Sequence, residues 1–115
     1  MTTTEEGKMI INPSQPGMVL KMRAKPGKGD ALFALTNKLH YNGDPDGPVD
    51  WLLCRDDKDP DTLWAFEFYK DEPSFARHFS NPALDGGHNE VFELLAEMPT
   101  RVEVHTAFSG FQATL

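Results

Sequence analysis

Four residues of this chain combine side chains and spacing suited to proton chemistry: Glu67, Tyr69, His78 and His88. A histidine can remove a proton and return one later because its pKa lies near neutrality. Residues 71–79 (DEPSFARHF) place Phe75, His78 and Phe79 at i, i+3 and i+4, so a helix there carries His78 on its apolar face. A second helical stripe, Leu84, His88, Val91, Phe92, Leu95 and Met98, turns His88 inward in the same way. Each histidine is either a core residue whose ring nitrogens are satisfied by neighbours or a proton acceptor facing a cavity. Tyr69, at the end of its strand, reads from the residues alone as a packed ring with a wet hydroxyl. Glu67 sits in the middle of the apolar run 63–70 (LWAFEFYK), where a carboxylate costs on the order of several kcal/mol unless it is paired. Arg23, Arg77, Arg101, His78 and His105 are its candidate partners, in a structural ion pair or in tuning a histidine. Trp51, Phe75, Phe79, Leu84 and Phe92 read as wall, and a pocket built from them would accept a flat aromatic ligand.

Other chemistries lack their residues. Asp57, Asp59 and Asp61 have calcium-loop spacing, but Thr62 stands where glycine is needed and Phe68 where the bidentate glutamate is needed, so a solvated turn is expected. No HExxH, Gly-rich phosphate loop, GxSxG elbow or dinucleotide fingerprint occurs. No metal site is expected. Cys54, in an apolar strand, reads as inert packing.

The elements that must position these residues follow from periodicity. Residues 1–16 are polar, with Pro13 and Pro16 as breakers, and read as a loose arm before a domain spanning 17–115. From Gly17 onward Met18, Leu20, Met22 and Ala24 alternate with Val19, Lys21, Arg23 and Lys25, a strand pattern ended by Pro26 and Gly27. A helix is expected over 29–39 on the stripe Leu32, Leu35 and Leu39. Residues 42–48 (NGDPDGP) are turn chemistry throughout. Strands are expected over 49–55 (VDWLLCR) and 63–70, joined as a hairpin by DDKDPD. The second helix starts near Asp71 to Pro73 and breaks at Asn81-Pro82; its successor is weakened at Gly86-Gly87 and closed by Pro99. Residues 101–108 (RVEVHTAF) alternate as a last strand.

The order β-α-β-β-α-β matches an α+β, ferredoxin-like antiparallel sheet of four strands with helices on one face. Trp64, Phe66 and Phe68 share one parity of the third strand while Leu63, Ala65 and Tyr69 share the other, so both sheet faces are apolar. Helices cover one face only. A second copy of the sheet packed face to face is the economical cover for the other, giving a homodimer; the arm is too short to bury that surface.

Composition bounds the partners. At 115 residues the chain is one domain, and 39% hydrophobic residues suffice for a core. Eleven Lys and Arg against 18 Asp and Glu give a net charge of −7, which disfavours nucleic acid and anionic membranes. Cys54 is the only cysteine, so no intrachain disulfide can form and a reducing, cytoplasmic setting is expected. Apolar runs stop far short of the roughly 20 residues that span a bilayer.

The segment FEFYKDEPSFARHFSNPALDGGH resembles the antibiotic biosynthesis monooxygenase family, small dimeric α+β barrel proteins. The family's Glu-x-aromatic strand end, acidic turn, helical His and following Pro correspond to Glu67, Tyr69, Asp71-Glu72, His78 and Pro82, and KPGKGDALFAL resembles its first strand-to-helix junction. The similarity covers roughly 18–108. Members often carry Trp where this chain has Tyr69 and another His where it has Ala83. Of the residues used by haem-degrading relatives, only the histidine aligned with His88 is present. The resemblance implies a cofactor-independent monooxygenase that oxidises a phenolic, hydroquinone or polycyclic aromatic substrate with O2, His78 acting as base and Tyr69 and His88 orienting oxygens. Isomerisation of a small oxygenated metabolite and a non-catalytic dimeric ligand-binding module are the alternatives.

Overall fold

The computed structural model describes residues 14–40 and 44–107. The elements run β1 (Pro16–Arg23), α1 (Gly29–His40), β2 (Asp50–Arg55), β3 (Thr62–Phe68), α2 (Glu72–Ser80), a 3-10 turn (Pro82–Leu84), α3 (Asp85–Leu94) and β4 (Thr100–His105). The four strands form one antiparallel sheet in the order β2-β3-β1-β4, the expected ferredoxin-like α+β arrangement with its second helix divided in two. Most of the expected arm lies outside the described residues. Its last residues join the sheet margin, where Ser14 and Thr106 share a backbone hydrogen bond of 2.6 Å and Gln15 is buried.

Register places the chemistry. Trp51, Glu67, Met18 and Glu103 lie side by side across the four strands, and Leu53, Ala65, Leu20 and Arg101 form the next row on the same face. This is the helix-covered face, since Leu63, Ala65 and Glu67 are buried while Trp64, Phe66 and Phe68 of β3 are partly exposed. The core, Met22, Ala24, Leu32, Leu63, Ala65 and Leu95, fills one end of the space beneath the helices. The opposite face carries the β3 aromatics, Leu52 (65% exposed) and Val102 (54% exposed). Cys54 also lies there and is exposed, so it is not the buried packing residue expected: its parity in β2 sets it opposite Trp64 rather than toward the core.

Local chemistry fixes the ends of the elements. Asp61 accepts from the backbone N–H groups of Gly27 and Gly29, tying the start of α1 to the β2-β3 connector. Gly29 lies against the Pro60 carbonyl, where a β-carbon would collide. Asp71 caps α2 by accepting from Ser74 N–H at 2.8 Å, with Pro73 in the first turn. The third helix stops at Leu94 instead of continuing to Pro99, because its next residues pair with the end of β1: Lys25 N–H donates to the Leu94 carbonyl and Ala96 N–H to the Arg23 carbonyl, both at 2.8 Å. Gly86 and Gly87 fall in its first turn. Gly87 packs so close to Leu39 that a β-carbon would stand 2.8 Å from that side chain. Among the described residues no helix is long and apolar enough to cross a membrane.

Candidate functional site

A cavity of about 500 Å³ opens between the sheet and the helices. Its floor is Met18, Leu20 and Met22 of β1 with Glu67 of β3. Around it stand Thr36, Leu39 and His40 of α1, Asp44, Gly47 and Pro48 of the following loop, and His78 and Phe79 of α2. Leu84, His88, Val91, Phe92 and Arg101 close the remaining side. The lining is mostly apolar, with polar groups at a few fixed points, as in small-molecule sites.

Glu67 is the centre of a buried chain of hydrogen bonds. Tyr69 donates its hydroxyl to Glu67 Oε1 at 2.9 Å, and His40 Nε2 lies 2.8 Å from Glu67 Oε2. His40 Nδ1 donates to the Thr36 carbonyl one helical turn back at 2.8 Å. The His40 ring stacks on Trp51 with centroids 4.3 Å apart. Burial is the largest influence on His40 and pulls its pKa down. The Glu67 hydrogen bond, the Thr36 carbonyl and the Glu67 charge together outweigh it, so the net shift is upward. Burial first, then the charge and hydrogen bond of Glu67, push the Tyr69 hydroxyl far up, so it stays protonated and can serve as a donor.

The second polar point is His78, whose Nδ1 lies 2.6 Å from Asp44 Oδ2. Both side chains are largely shielded, at 15% and 11% exposed. The His78 ring also packs beside Tyr69 and Phe79, with centroids 5.3 and 5.2 Å away.

The structure distributes the expected site residues unevenly. His78, His88, Glu67, Phe79, Leu84 and Phe92 line the cavity. Tyr69 is fully buried behind the wall, Phe75 packs edge-on against Tyr69 at 4.8 Å, and Trp51 backs His40; none of these three lines the cavity. His88 is exposed. None of the expected partners pairs with Glu67, because each has another contact: Arg23 with Glu97, Arg77 with Asp46, Arg101 with Glu103, His105 with Glu72 and His78 with Asp44. Sequence reasoning missed His40 and Asp44. A stripe of Leu32, Thr36 and His40 at i, i+4 and i+8 was the available signal for the first. Arg101, considered only as a partner for Glu67, instead reaches the cavity and lies over the Phe79 ring, 4.5 Å from its centroid. Among the described residues no group of three His, Cys, Asp or Glu could hold a metal ion.

Comparison with known proteins adds a family. A sequence model described as antibiotic biosynthesis monooxygenase matches residues 17–90. No curated protein matches the chain. A crystal structure from Chloroflexus aurantiacus, provisionally described as an antibiotic biosynthesis monooxygenase, is 26% identical, with a TM-score of 0.70 over 85% of this chain and 98% of that one. A protein from Shewanella oneidensis is 23% identical, with a TM-score of 0.70 over 88% of this chain and 98% of its own. At that identity it shows the fold alone.

Proposed function

The chain belongs to the antibiotic biosynthesis monooxygenase family, and from that premise we propose that it is a cofactor-independent monooxygenase acting with O2 on a phenolic, hydroquinone or polycyclic aromatic substrate. The observation that carries this reading is an apolar cavity with a shielded histidine on its wall, one ring nitrogen held by a carboxylate and the other without a hydrogen-bond partner among the described residues. His78 Nε2 takes the phenolic proton. The electron-rich phenolate then passes one electron to O2, and the two radicals join to form a carbon–oxygen bond. The peroxide oxygen takes the proton back from His78. Removal of the ring C–H proton with cleavage of the O–O bond leaves a carbonyl and water. A hydroquinone and O2 thus become a hydroxyquinone and water, with the substrate supplying all four electrons. The residues themselves hold the ring, move one proton and keep water from the intermediates.

The other polar groups take supporting roles. The His40–Glu67 pair presents a fixed carboxylate to a second substrate oxygen, and Tyr69 sets that carboxylate from behind the wall. His88 orients an oxygen from the exposed side. The apolar outer sheet face packs on a second copy of itself; gel filtration at low micromolar concentration giving a monomer would refute that assembly. Oxygen uptake with a panel of reduced quinones, phenols and fused-ring phenols tests the reaction. One atom of ¹⁸O₂ should enter the product and one should enter water. Turnover that proceeds without O2, or no uptake across the panel, would sink the monooxygenase reading.

A further inference from the structure

The loop between α1 and β2 meets helix α2 at two successive residues. Arg77 donates from Nε and Nη2 to the two carboxylate oxygens of Asp46, at 3.0 and 2.8 Å. Next to it, His78 Nδ1 lies 2.6 Å from Asp44 Oδ2. The Asp44 carboxylate is held independently of the histidine, because its Oδ1 accepts from the Asp46 N–H at 3.0 Å. Its carbonyl accepts from the Gly47 N–H at 3.0 Å, closing a tight turn. The Gly47 backbone runs along the ring: a β-carbon there would stand 3.9 Å from His78 Cε1 and 3.2 Å from the Asp44 carbonyl oxygen. The loop is therefore built to hold one carboxylate oxygen against one ring nitrogen.

We propose that Asp44 is a positioning residue for His78, holding the neutral ring in the tautomer that carries its proton on Nδ1 and leaves Nε2 as the lone-pair nitrogen for the substrate hydroxyl. A carboxylate can only accept, so Nδ1 must donate. A neutral imidazole has one such proton, which makes Nε2 the acceptor. The same carboxylate stabilises the imidazolium formed when Nε2 takes a proton, without itself being protonated, which is the logic of an aspartate–histidine pair in nucleophilic enzymes. This inference rests on the reading of His78 as the base, and its test separates the two.

Nitrogen-15 NMR of the imidazole rings in the intact protein reports the tautomer without any substrate, the His78 signals being assigned by their loss in His78→Gln. Wild type should carry the proton on Nδ1. Asp44→Asn offers an amide that can donate to Nδ1, so the proton should move to Nε2 and kcat should fall about 10²- to 10⁴-fold with KM little changed. A merely structural aspartate would lower the melting temperature in Asp44→Asn and leave the tautomer alone. A wild-type proton on Nε2, or an Asp44→Asn protein that keeps the wild-type tautomer, would overturn the proposal. If wild type turns over no substrate, the tautomer still decides the role of Asp44, and only the reaction falls.

Discussion

Two imidazole–carboxylate pairs face the same cavity, and they differ in what each ring has left to offer. His40 is committed at both nitrogens, to the Thr36 carbonyl and to Glu67, and the second Glu67 oxygen is taken by Tyr69. Among the described residues His78 is committed at Nδ1 alone, and its partner sits on a loop rather than on a helix or strand. The two pairs are similarly shielded, with side chains 7% and 9% exposed for His40 and Glu67 and 15% and 11% for His78 and Asp44. Burial therefore does not separate them. The count of occupied ring nitrogens does: a closed chain braces the helix against the sheet, whereas an open one can receive a proton.

Substitutions at the two histidines should fail in different ways. His40→Leu removes the imidazole from the buried Glu67 carboxylate, leaving it only the Tyr69 hydroxyl among the described residues, and should cost about 3 to 5 kcal/mol of stability, measurable by urea denaturation. That is a large share of the roughly 5 to 15 kcal/mol that holds a domain together. His78→Gln should instead leave stability within about 1 kcal/mol and lower kcat about 10²- to 10⁴-fold, read from oxygen uptake. If the two phenotypes exchange places, the roles assigned to the pairs are reversed.

The pH dependence sharpens the same contrast. Folding raises the His40 pKa above its ordinary 6.5, so the native state binds that proton more tightly than the unfolded chain does. The stabilisation is complete below the unfolded value and is lost as pH rises through the raised folded value. Denaturation curves at about pH 6 and about pH 9 should therefore show wild type weakening toward alkaline pH, and His40→Gln should flatten that slope. A slope unchanged by His40→Gln would mean that another group carries it.

Smaller effects belong to the periphery of the open pair. Arg77→Gln removes an exposed, solvent-screened ion pair, yet it loosens the loop that carries Asp44, so kcat should fall more than the melting temperature predicts. His88→Ala should alter stability by no more than about 0.5 kcal/mol, because the ring is exposed, and its effect should appear in KM.

Much of this arrangement was legible in the chain. The parity of Leu63, Ala65 and Glu67 against Trp64, Phe66 and Phe68 reads directly as two sheet faces, and Asp71 with Pro73 marks the start of α2. These are local signals, carried by side-chain alternation and capping. The pairing of His40 with Glu67 is not local: the residues are 27 apart, and they meet only because α1 runs one residue beyond its expected end and crosses the row holding Trp51 and Glu67. Asp44 was hidden by having two tasks. Its Oδ1 serves the turn that NGDPDGP announces, and only the fold brings Oδ2 to His78. The early stop of α3 was hidden too, since backbone pairing with the end of β1 leaves no mark in side-chain periodicity.

The central claim, that His78 takes a proton from a phenol bound in the cavity while His40 does not, can be tested by absorbance. A nitrophenol changes colour on ionisation and can be titrated into the protein at a pH below its own pKa. Wild type and His40→Gln should bind it with the phenolate band, and His78→Gln should bind it as the neutral phenol or not at all. A phenolate band that persists in His78→Gln and vanishes in His40→Gln would contradict the claim.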